Sequence, residues 1–325
     1  MNKIRSCIFP CIGSLPCHYD GGQQGLLSYN SLENPLAYNW NKVFIPYCDG
    51  ASFSGYIDEP VKSNETKGEV YFRGKAILDA VYDTLLSSKF DMSRASDVIL
   101  SGSSAGGLAV MLHADTIAKK IHAHNSKTNV AGIPDAGFFM DIPSVDGENR
   151  MVTKQGFKDL YEFQGIAEAS EGALAVCHSY FKDKGTPYKC LLPQYLLSFV
   201  KTPMFFTQSY ADAYQFPNVM GLSCGDAKCD SAATKYVNRF REKMMHYMNS
   251  ELPNNSGYWV TGCYVHTMID HSKWHAEATV EGMEMRYAIY GWYSDTFLKK
   301  RSGKWKFVDD AWKDGTEPDK CKKRR

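Results

Sequence analysis

Gly102-Ser103-Ser104-Ala105-Gly106-Gly107 sets a serine in the G-x-S-x-G pattern, whose register centres on Ser104 rather than Ser103. A serine hydroxyl is a weak nucleophile until an imidazole takes its proton and a carboxylate fixes the imidazole tautomer. Where such a serine rides on a sharp strand-to-helix turn, the acid follows it in the chain and the histidine comes last. Five of the nine histidines lie downstream of the central region: His178, His246, His266, His271 and His275. His266 comes shortly after the apolar run Tyr258-Trp259-Val260-Thr261, where a loop-borne base belongs. Asp212 ends the short segment Ser209-Tyr210-Ala211-Asp212 after another apolar run. Asp270 is too near His266 in sequence to come from the preceding loop, and Asp135 and Asp141 suit capping or orienting loops. The chemistry expected is acyl transfer by Ser104, Asp212 and His266. The Ala105 N–H, at a helix start, would face the developing oxyanion.

The elements that must position these groups can be read from periodicity. Residues 42–47 read as a strand, 73–88 as a helix with a stripe at Ile77, Val81 and Leu85, and 97–101 as a buried parallel strand. Leu108, Met111, Leu112 and Ile117 mark a helix over 105–122. Met204-Phe205-Phe206 is a strand, 230–249 an amphipathic helix through Val237, Phe240, Met244 and Met248, 258–261 a strand and 276–292 a last helix. Strands alternating with helices imply an α/β fold with a mostly parallel sheet flanked by helices. No linker divides it. A single catalytic domain is expected over 25–310, after a cysteine-bearing, truncated segment 1–24 and before a C-terminal basic tail 311–325, whose charge run Lys320–Arg325 reads as solvated.

Composition narrows the functions. Lys+Arg 37 against Asp+Glu 36 leaves a charge of +1, which gives no field for a nucleic-acid backbone. No window of about 18 apolar residues could span a membrane. Ten cysteines, at 7, 11, 17, 48, 177, 190, 224, 229, 263 and 321, fit disulfides in an oxidising compartment. The Cys224–Cys229 spacing could suit zinc, but the paired-knuckle pattern is missing and no metal is expected. Sequons at Asn64 and Asn254 agree with secretion and glycosylation. The N-terminus holds no clear signal peptide, because Pro10 and the cysteines break the apolar stretch behind Lys3 and Arg5.

Together with Gly102–Gly107, three segments resemble the pectin acetylesterase family, which also contains the Notum protein carboxylesterases. They are residues 47–55 (Tyr-Cys-Asp-Gly-Ala-Ser-Phe-Ser-Gly), Asp135-Ala136-Gly137-Phe138-Phe139 and Cys263-Tyr264-Val265-His266. Ser31-Leu32-Glu33-Asn34-Pro35, Tyr38-Asn39-Trp40-Asn41 and Phe72-Arg73-Gly74 extend the likeness over about residues 25 to 295. The resemblance implies an α/β-hydrolase-like fold, with Ser104 as nucleophile, Asp212 as acid and His266 as base. It further implies secretion to the cell wall, disulfides and no metal or organic cofactor. The disulfide candidates are Cys48, Cys177, Cys190, Cys224, Cys229, Cys263 and Cys321. The implied substrate is an acetylated, pectin-like polysaccharide; no nucleic-acid partner is expected, and the chain should act as a monomer.

One stretch departs from the family. Its members carry a Gly-Gly-Trp-Cys segment whose backbone donates to the oxyanion, whereas the first tryptophan here is Trp40 and Gly21-Gly22 lies too close to Gly25 to be that element. Ala105 N–H is then left without its partner donor, a loss typically worth about 10²–10³ in rate. Two alternatives therefore stand beside the acetylesterase: a Notum-like lipid-ester hydrolase, and a catalytically impaired binding protein on the same scaffold. The cysteine-bearing C-terminal region of the family also implies that Cys263 pairs with Cys321, with Cα atoms within about 7 Å.

Overall fold

Five segments become the strands of one sheet, in the order in which they occur: β1 (Asp97–Ser103), β2 (Asn129–Asp135), β3 (Phe205–Ser209), β4 (Gly257–Thr261) and β5 (Lys306–Val308). Every neighbouring pair is parallel, with Ser103 opposite Asp135, Asp135 opposite Thr207 and Ser209 opposite Thr261. The computed structural model describes residues 24–47, 49–63, 68–145, 151–225, 227–299 and 305–322. Among these, no helix is long and apolar enough to cross a membrane.

Side chains alternate across a strand, and here the alternation divides the core in two. Val98, Leu100, Val130, Phe206, Tyr258 and Val260 face one layer, while Ile99, Ala131, Ile133, Phe205 and Trp259 face the other. The first layer is covered by α2 (Ala105–His124), through Leu108, Met111 and Leu112, and by the amphipathic α5 (Ser231–Ser250), through Val237, Phe240, Met244 and Met248. The second is covered by α6 (Met285–Leu298), through Ala288, Ile289, Trp292 and Tyr293. Burial on both faces is why β1, β3 and β4 read as apolar runs. Helices α1 (Gly74–Leu86), α3 (Val152–Phe163) and α4 (Gly172–Lys182) complete the main set, and Cys177–Cys190 ties α4 to the turn Pro187–Leu191.

Two sequence expectations are corrected. Residues 42–46 form no strand: Lys42 to Ile45 are all half-buried, so no face alternates, and Pro46 has no N–H to offer a ladder. The last helix starts at Met285, not near 276, because Thr279–Val280 pairs with Met283–Glu284 across Glu281-Gly282. Both turn residues have positive φ, 50° and 77°, as a two-residue hairpin turn requires.

Candidate active site

Ser104 stands between the end of β1 and the first turn of α2, with φ 57° and ψ −122°. A non-glycine residue adopts this conformation only where its surroundings enforce it. Its N–H donates to the Asp135 carbonyl at 2.8 Å, which ties the turn to the neighbouring strand. Gly107 lets α2 start so close to β2: a Cβ there would lie 2.5 Å from the Asp135 carbonyl oxygen and 3.1 Å from Gly137 Cα. The loop Asp49–Gly55 closes over the same helix start, with the Ser52 hydroxyl donating to the Ala105 carbonyl at 2.7 Å. His113 Nε2, on α2, lies 2.8 Å from the Ser52 carbonyl oxygen and holds that loop.

Asp212 is fully buried in the loop that follows β3. One carboxylate oxygen accepts from the backbone N–H groups of Tyr214 and Gln215, both at 2.9 Å, and the other from Gln208 Nε2 at 3.3 Å. His266 Nδ1 lies 2.9 Å from Asp212 Oδ2, and its Nε2 lies 2.7 Å from Ser104 Oγ. With a proton on Nδ1 donated to the carboxylate, Nε2 is left to accept from the serine hydroxyl. Burial disfavours the imidazolium, but the hydrogen bond to Asp212 and its charge outweigh it, with Asp135 adding to them. His266 is therefore more basic than an ordinary histidine.

The His266 loop is assembled from distant parts of the chain. Cys263 is disulfide-bonded to Cys321, with Cα atoms 5.3 Å apart. The Gly262 carbonyl accepts from Trp312 Nε1 at 2.7 Å, its N–H donates to Asp309 at 3.0 Å, and the Tyr264 N–H donates to Glu317 at 2.8 Å. The Ser209 hydroxyl donates to the Cys263 carbonyl at 2.6 Å. Beyond the histidine, the Met268 N–H donates to Asp135 Oδ2 at 2.9 Å.

The structure thus brings Ser104, Asp212 and His266 into one hydrogen-bonded chain at the C-terminal ends of β1, β3 and β4, the edge where open parallel sheets carry their sites. The other histidines considered lie elsewhere: His246 is on α5, and His275 is buried in the turn Lys273–Glu277. The Ala105 N–H sits at the first position of α2, beside Ser104. Cys224 and Cys229 form a disulfide with each other. Asn254 is exposed in the turn before β4. Cys7, Cys11, Cys17, Cys48, Asn64 and Gly21-Gly22 fall outside the described residues. Sequence reasoning missed Tyr214, whose ring lies 5.4 Å from that of His266 at an interplanar angle of 31°, with Phe139 edge-on behind it. Its signal was an aromatic residue two positions after the acid.

The pectinacetylesterase family model matches residues 17–314. Pectin acetylesterase 5 of Arabidopsis thaliana is 32% identical over 286 residues, covering 83% of this chain and 63% of that protein. Palmitoleoyl-protein carboxylesterase notum2 of Xenopus laevis is 27% identical, covering 82% of this chain and 52% of its own length. The chain spans less than two thirds of either relative. The crystal structure of the Wnt deacylase Notum from Drosophila superposes with a TM-score of 0.72 at 22% identity, over 90% of this chain and 78% of that one. This match makes the fold α/β-hydrolase-like. With a family model matched along nearly its whole length and a plant relative 32% identical, this chain belongs to the pectinacetylesterase family.

Proposed function

We propose that the chain is a serine carboxylesterase that removes acetyl groups from an acetylated, pectin-like polysaccharide. The observation that carries this reading is the hydrogen-bonded chain from Asp212 through His266 to Ser104. Ser104 Oγ attacks the acetyl carbonyl while His266 Nε2 takes its proton, and the tetrahedral oxyanion faces the Ala105 N–H and the positive end of α2. The sugar hydroxyl leaves with the proton returned by His266. Water, activated by the same imidazole, then hydrolyses the acetyl-enzyme and frees acetate. Asp212 holds the imidazole in the tautomer that both steps need. The three disulfides among the described residues support an oxidising, extracellular setting.

Acetate release from acetylated pectin tests the reading. Ser104→Ala should abolish release and stoichiometric labelling by a fluorophosphonate; release unchanged in that variant would remove the assigned nucleophile. A wild-type chain that takes no label would favour the impaired binding protein. A second reading, hydrolysis of a longer acyl ester, is favoured by the aromatic stack that starts at Tyr214 beside His266 and continues through Phe139 to Phe157. Comparing p-nitrophenyl acetate with the octanoate separates the two, since a strong octanoate preference would displace the acetyl reading.

A further inference from the structure

Asp135 is wholly buried where three strand ends meet the His266 loop, and the mechanism above gives it no part. Its register partners are Ser103 on β1 and Thr207 on β3. Oδ1 accepts from the Thr207 hydroxyl at 2.7 Å, and the Ser103 side chain also hydrogen-bonds to the carboxylate. Oδ2 accepts from the backbone N–H groups of Met268 at 2.9 Å and Ile269 at 3.4 Å, two and three residues past His266. Its backbone carbonyl meanwhile accepts from the Ser104 N–H at 2.8 Å. One residue therefore holds the nucleophile turn with its main chain and the base's loop with its side chain.

We propose that Asp135 is a positioning residue for His266, locking the His266 loop to the Ser104 turn and presenting a second negative charge to the imidazole. This rests on the reading of Ser104, Asp212 and His266 as a triad. The groups facing His266 are Asp212 from the loop after β3, the Tyr214 ring and, behind them, Asp135 from β2. Asp270, in the His266 loop itself, acts on Asp135. Burial drives the Asp135 carboxyl up to about 6, the hydrogen bonds from Met268 and Thr207 oppose that rise, and the Asp270 charge adds to it. At neutral pH the group is an anion. A carboxylate with four donors around it and no solvent cannot be exchanged for a neutral group without changing the field at the imidazole.

The test is Asp135→Asn, which keeps the shape and removes the charge. In the intact protein, the acid limb of kcat/KM for p-nitrophenyl acetate should move down by roughly half a pH unit or more. In parallel, kcat should fall about tenfold or more as the loop loosens, with KM little changed. The His266 ring resonance, identified by its loss in His266→Ala, should titrate at correspondingly lower pH. Thr207→Val is a second variant with the carboxyl intact: withdrawing one donor raises the Asp135 pKa, so the His266 titration should shift the same way by less. An unmoved His266 titration in Asp135→Asn overturns the proposal, whatever happens to kcat; if that variant does not fold, an unmoved titration in Thr207→Val does so. A wild-type protein without esterase activity would sink the triad reading alone, because the ring titration is read without turnover.

Discussion

Ser104 and His266 meet at 2.7 Å, yet the segments that carry them are held in opposite ways. The Ser104 turn is fixed mainly by nearby chain: β1 runs into α2, Gly107 permits close contact with β2, and the Asp135 carbonyl takes the Ser104 N–H, with the loop Asp49–Gly55 as an added cover. The His266 loop takes its partners from Asp135, Ser209, Asp309, Trp312, Glu317 and Cys321, spread over most of the chain. A site joined from one locally encoded half and one tertiary half should fail asymmetrically: damage to distant parts of the fold should disorder the base long before the nucleophile.

Among changes that leave the nucleophile in place, Asp212→Asn should have the largest effect on activity. It leaves the fold in place but no longer enforces the Nδ1–H tautomer, so kcat should drop by about 10⁴. Turnover of p-nitrophenyl acetate measures this, and a loss under tenfold would mean that some other group orients His266. Cys321→Ser opens a disulfide with a sequence separation of 58, for which the chain-entropy model gives about 4 kcal/mol. Activity should fall about 10²-fold as the imidazole drifts from Ser104. Amide hydrogen exchange should quicken over residues 262–270 and stay unchanged over 97–112; equal loosening of both would break the asymmetry. Gly107→Ala attacks the other half, pressing a methyl group onto backbone at 2.5 Å, and should cost about 1–3 kcal/mol in urea unfolding. Here the exchange pattern should reverse, with 97–112 affected first.

The smallest effect is the pH dependence. His266 must be neutral to act as a base, and its pKa is raised above the 6.5 of an ordinary histidine. Activity should therefore fall with decreasing pH through a value above 6.5, and Asp212→Asn should lower that limb. The same raised pKa contributes stability that is fully present below the unfolded-state value and is lost as pH rises through the folded-state one. A limb at or below 6.5 in the wild type would show that Asp212 does not govern the imidazole.

What could be read in the sequence follows the same division. The Ser104 turn was legible because strand, glycines and helix lie side by side, and the stripe through Val237, Phe240, Met244 and Met248 gave α5 within a residue at each end. β2 was not, because Gly132 and Pro134 disguise a run that is nonetheless buried almost throughout. β5, with three half-buried residues, carries too little pattern to register. Asp212 and His266 could be placed by chain order and loop position. The assembly of contacts around His266 could not, because only the folded sheet brings Asp135 beside Met268 and Glu317 beside Tyr264. Asp135 could be recognised as a loop-orienting residue, though not which loop it serves.

The Cys263–Cys321 clamp also imposes a timetable. Cys321 follows Cys263 by 58 residues, which a ribosome needs roughly 3–12 s to add at 5–20 residues per second. Through most of that interval β1, α2 and the Ser104 turn have every residue they need, while the His266 loop still waits for Asp309, Trp312, Glu317 and, last, its disulfide partner. On the esterase reading, a nascent chain holds its nucleophile ready but its base unmoored, so hydrolytic competence waits for the clamp to be made.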